Sequence, residues 1–290
     1  MKKLLACAAL LVASPALAAP PPIESDGYRL VWSREFDTDG RPDPDTWTYE
    51  RGFSRNNELQ WYQEDNAFIE GGSLVIEARR ERVRNPGYRP GADGWRQKRR
   101  YAEYTSSSLT TRESREWLYG RFELRAKIDI RPGMWPAWWT VGRARAWPGS
   151  GEIDMMEYYR GMILANAAWK SRGGDRWSAE WDSVRVPVED LAEGSPESWA
   201  DEFHVWRMDW TEDAIRLYLD GELLNEIDLS ETINPDGSNP FREPHFMLIN
   251  LAIGGNNGGD PSETEFPARY EIDYVRVYQR DADASEGAGG

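Results

Sequence analysis

Three carboxylates stand close together in the segment GEIDMMEYYR, which runs from Gly151 to Arg160. In a regular strand alternate side chains share a face, so Glu152 and Asp154 fall on one face and Glu157 falls on the other. One extra residue at Met155-Met156 would form a β-bulge and return Glu157 to the face of Glu152. A plain bend in the chain is the alternative.

With the bulge, the three carboxylates lie on one strip of a sheet, where repulsion between like charges raises at least one pKa. A glycosidase needs one ionised carboxylate to attack the anomeric carbon and one protonated carboxylic acid to donate to the leaving oxygen. In the retaining mechanism the two groups lie about 5–5.5 Å apart, which two Glu side chains on a concave sheet can reach. Two other interpretations remain: a solvent-facing acidic edge strand, and an all-oxygen site for a hard cation.

Tryptophans stand just before the carboxylates, in the segment MWPAWWTV from Met134 to Val141. An extended conformation puts Trp135 and Trp139 on one face, and packing in the core is the alternative role for them. The whole chain contains 15 Trp and 13 Tyr. Because aromatic faces stack on the apolar faces of sugar rings, this composition favours a carbohydrate ligand.

The segments that must position these residues read as strands, and no long stretch has helical spacing. Asp220-Gly221 between apolar flanks predicts a hairpin turn. Residues 84–100 and 170–201 are predicted to be long loops, which often carry function. Many strands around one core predict an all-β fold, a β-jelly-roll sandwich of two antiparallel sheets. The predicted strand segments are GSLVIEARRE (72–81), GRFELRAKIDI (120–130), AIRLYLDGELLNEIDL (214–229), HFMLINLAI (245–253) and YEIDYVRVYQ (270–279).

The chain is acidic, with a formal net charge of −15 at pH 7. Nucleic acids and anionic lipid surfaces are polyanions, so this charge argues against both as partners. It also argues against a heavily sulfated polysaccharide. We therefore expect a neutral substrate. The protein is expected to be a monomer.

The first 18 residues have the pattern of a secretory signal peptide: two lysines, an apolar run and a small-residue site with cleavage after Ala18. The apolar run is too short for a good membrane span. We therefore expect a secreted or periplasmic protein that has no membrane association after cleavage. Cys7 is the only cysteine and lies in this segment, so the predicted catalytic domain, residues 19–280, depends on its core rather than on disulfides. The small, polar tail 281–290 is predicted to be disordered.

The chain closely resembles glycoside hydrolase family 16, in particular its bacterial laminarinase-like branch. The segment GEIDMMEYY fits the bulged E-x-D-x-x-E signature of that branch. Five further segments resemble family segments in the family's order: RNNELQWYQEDNAFIEGGSLVIEARRE, YGRFELRAKIDIRPGMWPAWW, FHVWRMDWTEDAIRLYLDGE, HFMLINLAIGG and EIDYVRVYQ.

The resemblance implies a jelly roll with a substrate groove on its concave face, and an endo-acting enzyme that retains anomeric configuration. It implies Glu152 as the nucleophile, Glu157 as the general acid/base and Asp154 as the residue that modulates them. The expected substrate is a neutral β-glucan with β-1,3 or mixed β-1,3/1,4 linkages. Alternatives are a galactan hydrolase of the agarase or carrageenase type, a transglycosylase and, more remotely, a non-catalytic carbohydrate-binding jelly roll.

The resemblance also implies groove residues. Trp135 and Trp139 match groove aromatics beside the scissile bond, and Asn57 matches a polar residue that binds a sugar hydroxyl. Arg79 is a further candidate. Laminarinase-like members commonly carry a His on the strand after the catalytic one, where this chain has Ala168, and this difference leaves the linkage open.

Trp169 follows Ala168 and is expected to line the groove instead. The two histidines, His204 and His245, are expected to have structural roles. No cofactor is expected for catalysis. The resemblance implies a structural Ca²⁺ held by Glu35, the Gly72 carbonyl and Asp273, an oxygen-only donor set of the kind Ca²⁺ prefers. The alternative is that the same acids are hydrogen-bonded without a metal.

Overall fold

A computed structural model describes residues 26–280. The predicted signal peptide, the predicted tail and the first residues of the predicted domain 19–280 lie outside this range. Within it, no helix is long and apolar enough to cross a membrane.

The described residues form nineteen strands and five short helical segments. The strands are β1 (Arg29–Arg34), β2 (Thr48–Tyr49), β3 (Gln60–Tyr62), β4 (Ala67–Glu70), β5 (Ser73–Ala78), β6 (Val83–Arg84), β7 (Tyr101–Ala102), β8 (Tyr104–Ser106), β9 (Ser108–Thr110), β10 (Gly120–Lys127), β11 (Met134–Gly142), β12 (Glu152–Tyr159), β13 (Met162–Lys170), β14 (Ala179–Pro187), β15 (His204–Trp210), β16 (Ala214–Leu219), β17 (Glu222–Asp228), β18 (His245–Ile253) and β19 (Ala268–Gln279). The helices are α1 (Trp95–Lys98), α2 (Val188–Leu191), α3 (Pro196–Ala200) and the 3₁₀ turns Glu64–Asn66 and Pro240–Arg242.

Most strands belong to two large antiparallel sheets. The eight-stranded sheet has the order β17-β16-β15-β10-β19-β5-β4, with β1 also paired to β19. The seven-stranded sheet has the order β14-β13-β12-β11-β18-β9-β2. Two antiparallel sheets of this size around one core form a β-jelly-roll sandwich, so the predicted fold class is confirmed.

The core lies between the two sheets and receives alternate side chains from their strands. Phe122 and Leu124 of β10 are buried from one side, and Trp138 and Ile153 are buried from the other. Burying each large aliphatic or Phe side chain stabilises the fold by about 1.5–3 kcal/mol. In the seven-stranded sheet, the side chains that alternate with these core residues point to the outer face. A cleft forms on that face.

The hairpin turn predicted at Asp220-Gly221 is present, whereas the long loop predicted over residues 170–201 is not. Asp220 and Gly221 have φ values of 50° and 90° and join β16 to β17, as expected for a tight hairpin. The prediction of a long loop over 170–201 is wrong, because it contains strand β14 and helices α2 and α3. β14 is an edge strand whose residues are all at least partly exposed, and four polar residues interrupt its apolar ones, so it lacks the apolar pattern by which strands are recognised.

Candidate active site

Strand β12 carries the three carboxylates and contains the predicted bulge. Against β13, the pairing passes from Asp154 directly to Glu157, so that Met155 and Met156 together oppose the single residue Ala165. The register with β11 shifts at the same place. Both methionines are fully buried, so the extra residue is accommodated by the core and Glu157 returns to the outer face.

The bulge places each carboxylate in a straight row of side chains that crosses five strands. Cross-strand neighbours on one face of a sheet lie about 5 Å apart, so each row is a continuous strip of the outer surface. From β18 through β11, β12 and β13 to β14, the rows are Phe246–Val141–Glu152–Ala168–Trp181, Leu248–Trp139–Asp154–Asn166–Ser183 and Asn250–Ala137–Glu157–Leu164–Arg185.

These rows form the floor of a cleft of about 790 Å³. At one edge of the sheet the cleft is bounded by Glu50, Arg55, Asn56 and Glu58, which follow strand β2. At the opposite edge it is bounded by residues of β14. The cleft therefore crosses the strands from one edge of the sheet to the other, and the carboxylates lie on its floor.

Hydrogen bonds hold two of the carboxylates in place. The indole nitrogen of Trp135 donates to Oε1 of Glu157 at 2.7 Å. The amide nitrogen of Asn166 donates to Oδ2 of Asp154 at 3.3 Å and to Oε2 of Glu157 at 3.4 Å. The hydroxyl of Ser183 donates to the amide oxygen of Asn166, which fixes the amide with its nitrogen toward the carboxylates.

Burial raises the pKa of all three carboxyl groups, and repulsion between them raises the pKa values of Glu152 and Glu157 further. Opposing effects come from different neighbours. Asn166 lowers the pKa of Asp154 through its hydrogen bond. Trp135 and Arg185 lower the pKa of Glu157, whereas Arg55 lowers that of Glu152. The trio therefore retains at least one proton near neutral pH, as an acid/base pair of carboxyl groups requires.

Trp135 and Trp139 both line the cleft, in agreement with the face predicted for them. The indole nitrogen of Trp139 donates to Oδ1 of Asn250 at 2.8 Å. The guanidinium of Arg55 lies 5.0 Å from the centre of the Trp139 ring and is ion-paired with Glu50. A cation and a fixed indole thus stand together on the cleft wall.

A fourth carboxylate, Glu58, lies in the cleft wall and was not singled out in the sequence. It is 2% exposed and accepts a hydrogen bond from Nε2 of Gln60 at 2.7 Å. Burial raises its pKa to about 7. Arg55 and Glu58 flank the two asparagines of the RNNELQ segment. The family resemblance therefore identified the segment that lines the cleft, but it did not identify Arg55 and Glu58 as cleft residues.

The structure does not place Asn57 in the cleft, and its neighbour Asn56 lines the cleft instead. Both asparagines have left-handed backbone conformations, with φ values of 53° and 55°. The chain therefore turns sharply between them. The amide of Asn57 donates to Oδ1 of Asn256 at 3.0 Å, in a separate hollow beside the cleft.

Arg79 also lies away from the cleft. It follows β5 of the eight-stranded sheet, and its Nε donates to Oε1 of Glu77 at 2.7 Å.

Trp169 points away from the outer face because Ala168 occupies the row of Glu152. The Trp169 ring packs against Phe241, with 6.4 Å between ring centres. The cleft tryptophan in this region is Trp181, which stands opposite Ala168 and is 48% exposed.

Neither histidine lines the cleft. His245 is buried between the Thr140 hydroxyl and the Pro240 carbonyl, and His204 bonds to Asp220 and to the carbonyl of Trp199. These contacts agree with the structural roles predicted for both rings.

The two carboxylates predicted to hold Ca²⁺ are both engaged by arginines. Glu35 is paired with Arg276 through two hydrogen bonds of 3.0 and 2.7 Å, and Asp273 is paired with Arg125. Gly72 could offer only a neutral carbonyl. Over residues 26–280, no group of three or more His, Cys, Asp or Glu side chains is placed to hold a metal ion. Two guanidinium groups already neutralise the carboxylates, so this donor set does not fit a dication.

The jelly roll and the strip of buried carboxyl groups along its cleft define a glycoside hydrolase. A family model, described as glycosyl hydrolases family 16, matches residues 54–276, and the chain belongs to this family. The resemblance seen in the sequence is thereby confirmed.

Known relatives and structures agree with this assignment. A β-glucanase of Rhodothermus marinus is 35% identical over 277 residues, covering 87% of this chain and 85% of the relative. The laminarinase catalytic domain of Thermotoga maritima has a TM-score of 0.73 and is 35% identical, covering 88% of this chain and 99% of that domain. A structure from work on endo-acting O-glycanases of the human gut microbiota that initiate mucin breakdown has a TM-score of 0.82 and is 32% identical, covering 93% of this chain and 97% of that chain.

Proposed function

We propose that this protein is an endo-acting β-glucanase that hydrolyses β-1,3 or mixed β-1,3/1,4 glucan with retention of anomeric configuration. The observation that carries this proposal is the bulge in β12, which brings Glu152, Asp154 and Glu157 onto the floor of one cleft. The substrate assignment draws on relatives such as the Rhodothermus marinus β-glucanase.

In the first step, a carboxylate oxygen of Glu152 attacks the anomeric carbon and forms a glycosyl ester. The bond to the leaving oxygen breaks, and Glu157 donates its proton to that oxygen. In the second step, Glu157 takes a proton from water, the water oxygen attacks the anomeric carbon, and the ester bond to Glu152 breaks. Two inversions at the same carbon give net retention.

The surroundings of the trio support these roles. Burial raises the pKa values of both Glu152 and Glu157 and so keeps a proton available within the trio, and the positive charge of Arg55 opposes this rise at Glu152, the proposed nucleophile. Asp154 lies in the row between them and shares the Asn166 amide with Glu157. Because Asp154 repels the charge on Glu157, its own ionisation state adjusts the proton affinity of the acid/base.

Endo action follows from the shape of the cleft. It crosses the sheet from the Asn56 side to β14, so a polysaccharide chain can lie across several strands with the carboxylates part-way along it. Trp139 is only partly buried and offers an indole surface on which a sugar ring can stack, whereas Trp135 is 5% exposed and lines the cleft beside Glu157. Both predicted catalytic glutamates face the cleft, which argues against a non-catalytic binding protein.

A second candidate is hydrolysis of a galactose-containing glycan. Its support is the higher TM-score of the O-glycanase structure, 0.82 against 0.73 for the laminarinase domain. A keratan-sulfate endo-1,4-β-galactosidase of Sphingobacterium multivorum is also 26% identical over 270 residues. Ala168 beside Glu152, in place of the expected His, is consistent with a sugar preference unlike that of laminarinases.

The test is a product profile from the purified protein on laminarin, lichenan, agarose, carrageenan and mucin O-glycans. Laminarin or lichenan should yield short oligosaccharides early, as endo cleavage requires. Glu152→Gln and Glu157→Gln should each lower the rate by at least about a thousandfold while leaving the melting temperature close to that of the wild type. Activity confined to agarose, carrageenan or mucin glycans would favour the second candidate, and wild-type turnover by either Gln variant would contradict the assigned roles.

We also propose that the protein is exported with cleavage after Ala18, on the sequence pattern alone. Expression of the full chain in a bacterial host should give an exported protein whose first residue is Ala19. Intact mass measurement of the exported fraction tests this, and a cytoplasmic protein that retains Met1 would contradict it.

A further inference from the structure

A second hollow adjoins the cleft beyond the end of strand β12, on the side of Glu157. Its volume is about 510 Å³. Three pairs of residues that are neighbours in the chain are divided between the two spaces. The first of each pair lines the cleft and the second lines the hollow: Asn56 and Asn57, Tyr159 and Arg160, Asn257 and Asn256. The two spaces therefore share a narrow wall, and a group that projects sideways from a sugar chain in the cleft lies within reach of the hollow.

The wall is built from closely packed main chain. The backbone nitrogen of Asn256 donates to the carbonyl of Asn56 at 2.9 Å, and Nδ2 of Asn57 donates to Oδ1 of Asn256 at 3.0 Å. A Cβ atom added to Gly255 would lie 2.7 Å from the Asn56 carbonyl oxygen, so only glycine allows this approach. The hollow is therefore formed by the fold itself, without a ligand.

Arg99 lines the hollow with a guanidinium that is fixed in place. Its Nη2 donates to the carbonyl of Asn57 at 2.8 Å, and its Nη1 donates to the carbonyl of Glu58. The ring centres of Phe53 and Trp95 lie 5.1 and 5.0 Å from its Cζ. Across residues 26–280 none of its partners is a carboxylate. Three of its five N–H donors and its whole charge therefore remain available to a ligand.

Arg160 is the second cation of the hollow. It is exposed and follows β12, three residues after Glu157. Its one hydrogen bond within the described chain runs from Nη2 to the carbonyl of Asn256 at 3.4 Å. Asp260 is the carboxylate that lines the hollow. It accepts from the backbone nitrogen of Ser262 at 2.9 Å and, in the part of the chain that the structure describes, is not ion-paired with either arginine. The hollow thus carries more positive than negative charge.

The segment that supplies Arg99 is basic, although the protein is acidic. Residues 84–100 contain six basic residues and one acidic residue, whereas the whole chain has a formal net charge of −15. Over the described range none of the six is in an ion pair, whereas Arg79, shortly before the segment, is paired with Glu77. Positive charge that the fold does not neutralise is therefore concentrated beside the cleft.

We propose that this hollow binds a negatively charged substituent, a carboxylate or a sulfate ester, on a glycan whose main chain lies in the cleft. Guanidinium groups suit this ligand because their planar N–H donors match the oxygens of such anions. Arg99 supplies fixed donors, and Arg160 adds a second charge. The inference rests on the proposed function and deepens it, because it adds sparsely charged glucans to the neutral ones as substrates.

The negative charge of the whole protein does not prevent this contact. At physiological ionic strength, charges on the surface are screened beyond about 8 Å, whereas an anion in the hollow directly contacts two guanidinium groups. A densely charged glycan would also bring anions onto the row of carboxyl groups on the cleft floor, where like charges repel. The arrangement therefore favours a glycan with occasional anionic substituents over a heavily sulfated one.

The experiment compares the wild type with Arg160→Gln, Arg99→Gln and the matched control Arg172→Gln. Arg172 is an exposed residue in the turn between β13 and β14 and lines neither the cleft nor the hollow. The substrates are laminarin, lightly carboxymethylated laminarin and lightly sulfated laminarin, each at low and at high NaCl. The readout is kcat/KM on a charged substrate divided by kcat/KM on laminarin, so that general effects on catalysis cancel. Melting temperatures establish that the variants are folded.

At low NaCl we expect Arg160→Gln to lower this ratio by about fivefold, as the loss of one exposed ion pair should. Arg99→Gln should lower the ratio at least as much, because Arg99 is less exposed, and Arg172→Gln should match the wild type. High NaCl should bring the wild-type ratio toward that of the variants. The substrate on which the ratio responds identifies the anion as carboxylate or sulfate.

Two results would overturn the site while leaving the proposed function intact. The wild type could cleave laminarin with a ratio that neither Arg160→Gln nor Arg99→Gln changes, or the ratio could fall equally in all three variants. The second result would assign the effect to overall surface charge instead of the hollow. A wild type that cleaves none of the three substrates would instead overturn the proposed function.

Discussion

The indole nitrogen of Trp135 lies 2.7 Å from Oε1 of Glu157 and donates a hydrogen bond to it. The two residues come from neighbouring strands, and they meet because the bulge returns Glu157 to the outer face. The bond favours the ionised form of Glu157 and so opposes the rise in pKa that burial produces. A residue of the cleft lining therefore lowers the proton affinity of the proposed general acid against the effects of burial and of Asp154.

Trp135→Phe keeps an aromatic face but removes this donor, so we expect the pKa of Glu157 to rise. Because the acid must be protonated for the first step, kcat/KM falls as pH rises through that pKa. The alkaline limb of the kcat/KM profile should consequently move to higher pH. Trp139→Phe is the control, since its indole bonds to Asn250 rather than to a carboxylate. An alkaline limb that stays in place in Trp135→Phe, or that moves equally in both variants, would contradict the role of the bond.

The buried ring of His245 should make the fold sensitive to mild acid. Its Nε2 faces the Pro240 carbonyl at 3.1 Å and must donate, which leaves Nδ1 to accept from the Thr140 hydroxyl at 3.1 Å. Burial lowers the pKa of His245 to about 4, below its unfolded value of about 6.5. The neutral ring thus contributes stability that is present above about pH 6.5 and is lost as pH falls toward 4, by roughly 3 kcal/mol in total.

His245→Gln retains a donor for the Pro240 carbonyl but cannot titrate. Urea unfolding at pH 7, 6, 5 and 4 should therefore show a smaller loss of unfolding free energy in this variant than in the wild type. His204 supplies a contrast of opposite sign. Burial lowers its pKa, but the hydrogen bonds to Asp220 and to the Trp199 carbonyl, together with the charges of Asp220 and Glu202, outweigh burial and the pKa is raised. Its contribution is present below about pH 6.5 and is lost as pH rises through the folded pKa. An unchanged pH slope in His245→Gln would refute this account of His245.

The arginine pairs at Glu35 and Asp273 predict that stability does not depend on calcium. A chelator such as EDTA, or added Ca²⁺, should leave the melting temperature unchanged. Arg276→Met should lower the free energy of unfolding by roughly 3 kcal/mol, because its side chain is 3% exposed and its partner Glu35 is 26% exposed.

Arg216→Met is the matched control for this prediction. Its ion pair with Glu226 lies on the same eight-stranded sheet, with both side chains at least 40% exposed. Such a pair contributes about 0–1 kcal/mol. A rise of several degrees in the melting temperature on adding Ca²⁺ would show that the carboxylates bind a metal after all.

Much of the fold and the carboxylate strip could be predicted from the sequence. Both follow from the alternation of side chains along a strand, in which every second residue lies on the same face. His245–Ile253 was predicted at its observed bounds, since a continuous apolar run leaves little choice of register. The bulge could be predicted for the same reason. Glu157 was out of phase by one residue, and a pair of apolar methionines marked where the extra residue could be buried.

The errors arose where the position of a side chain depends on one backbone detail. Successive left-handed residues send Asn56 rather than Asn57 into the cleft. Trp169 was expected to line the groove, but the pairing of Ala168 with Glu152 turns it to the other face of the sheet. Trp181 lies on an exposed edge strand in which polar residues interrupt the apolar ones, so that the segment resembles a loop. Arg79 is held by Glu77, a contact between alternate residues that no pattern of apolar residues reveals.

The most direct test of the account is to trap the glycosyl-enzyme and identify the residue that carries the sugar. A 2-deoxy-2-fluoro laminaribioside with a dinitrophenolate leaving group forms the ester without needing the general acid, and slows its hydrolysis. After proteolysis, mass spectrometry should locate one added disaccharide on Glu152, in the peptide that contains the bulge. A label on Asp154 or Glu157 instead would contradict the assignment of Glu152 as the nucleophile.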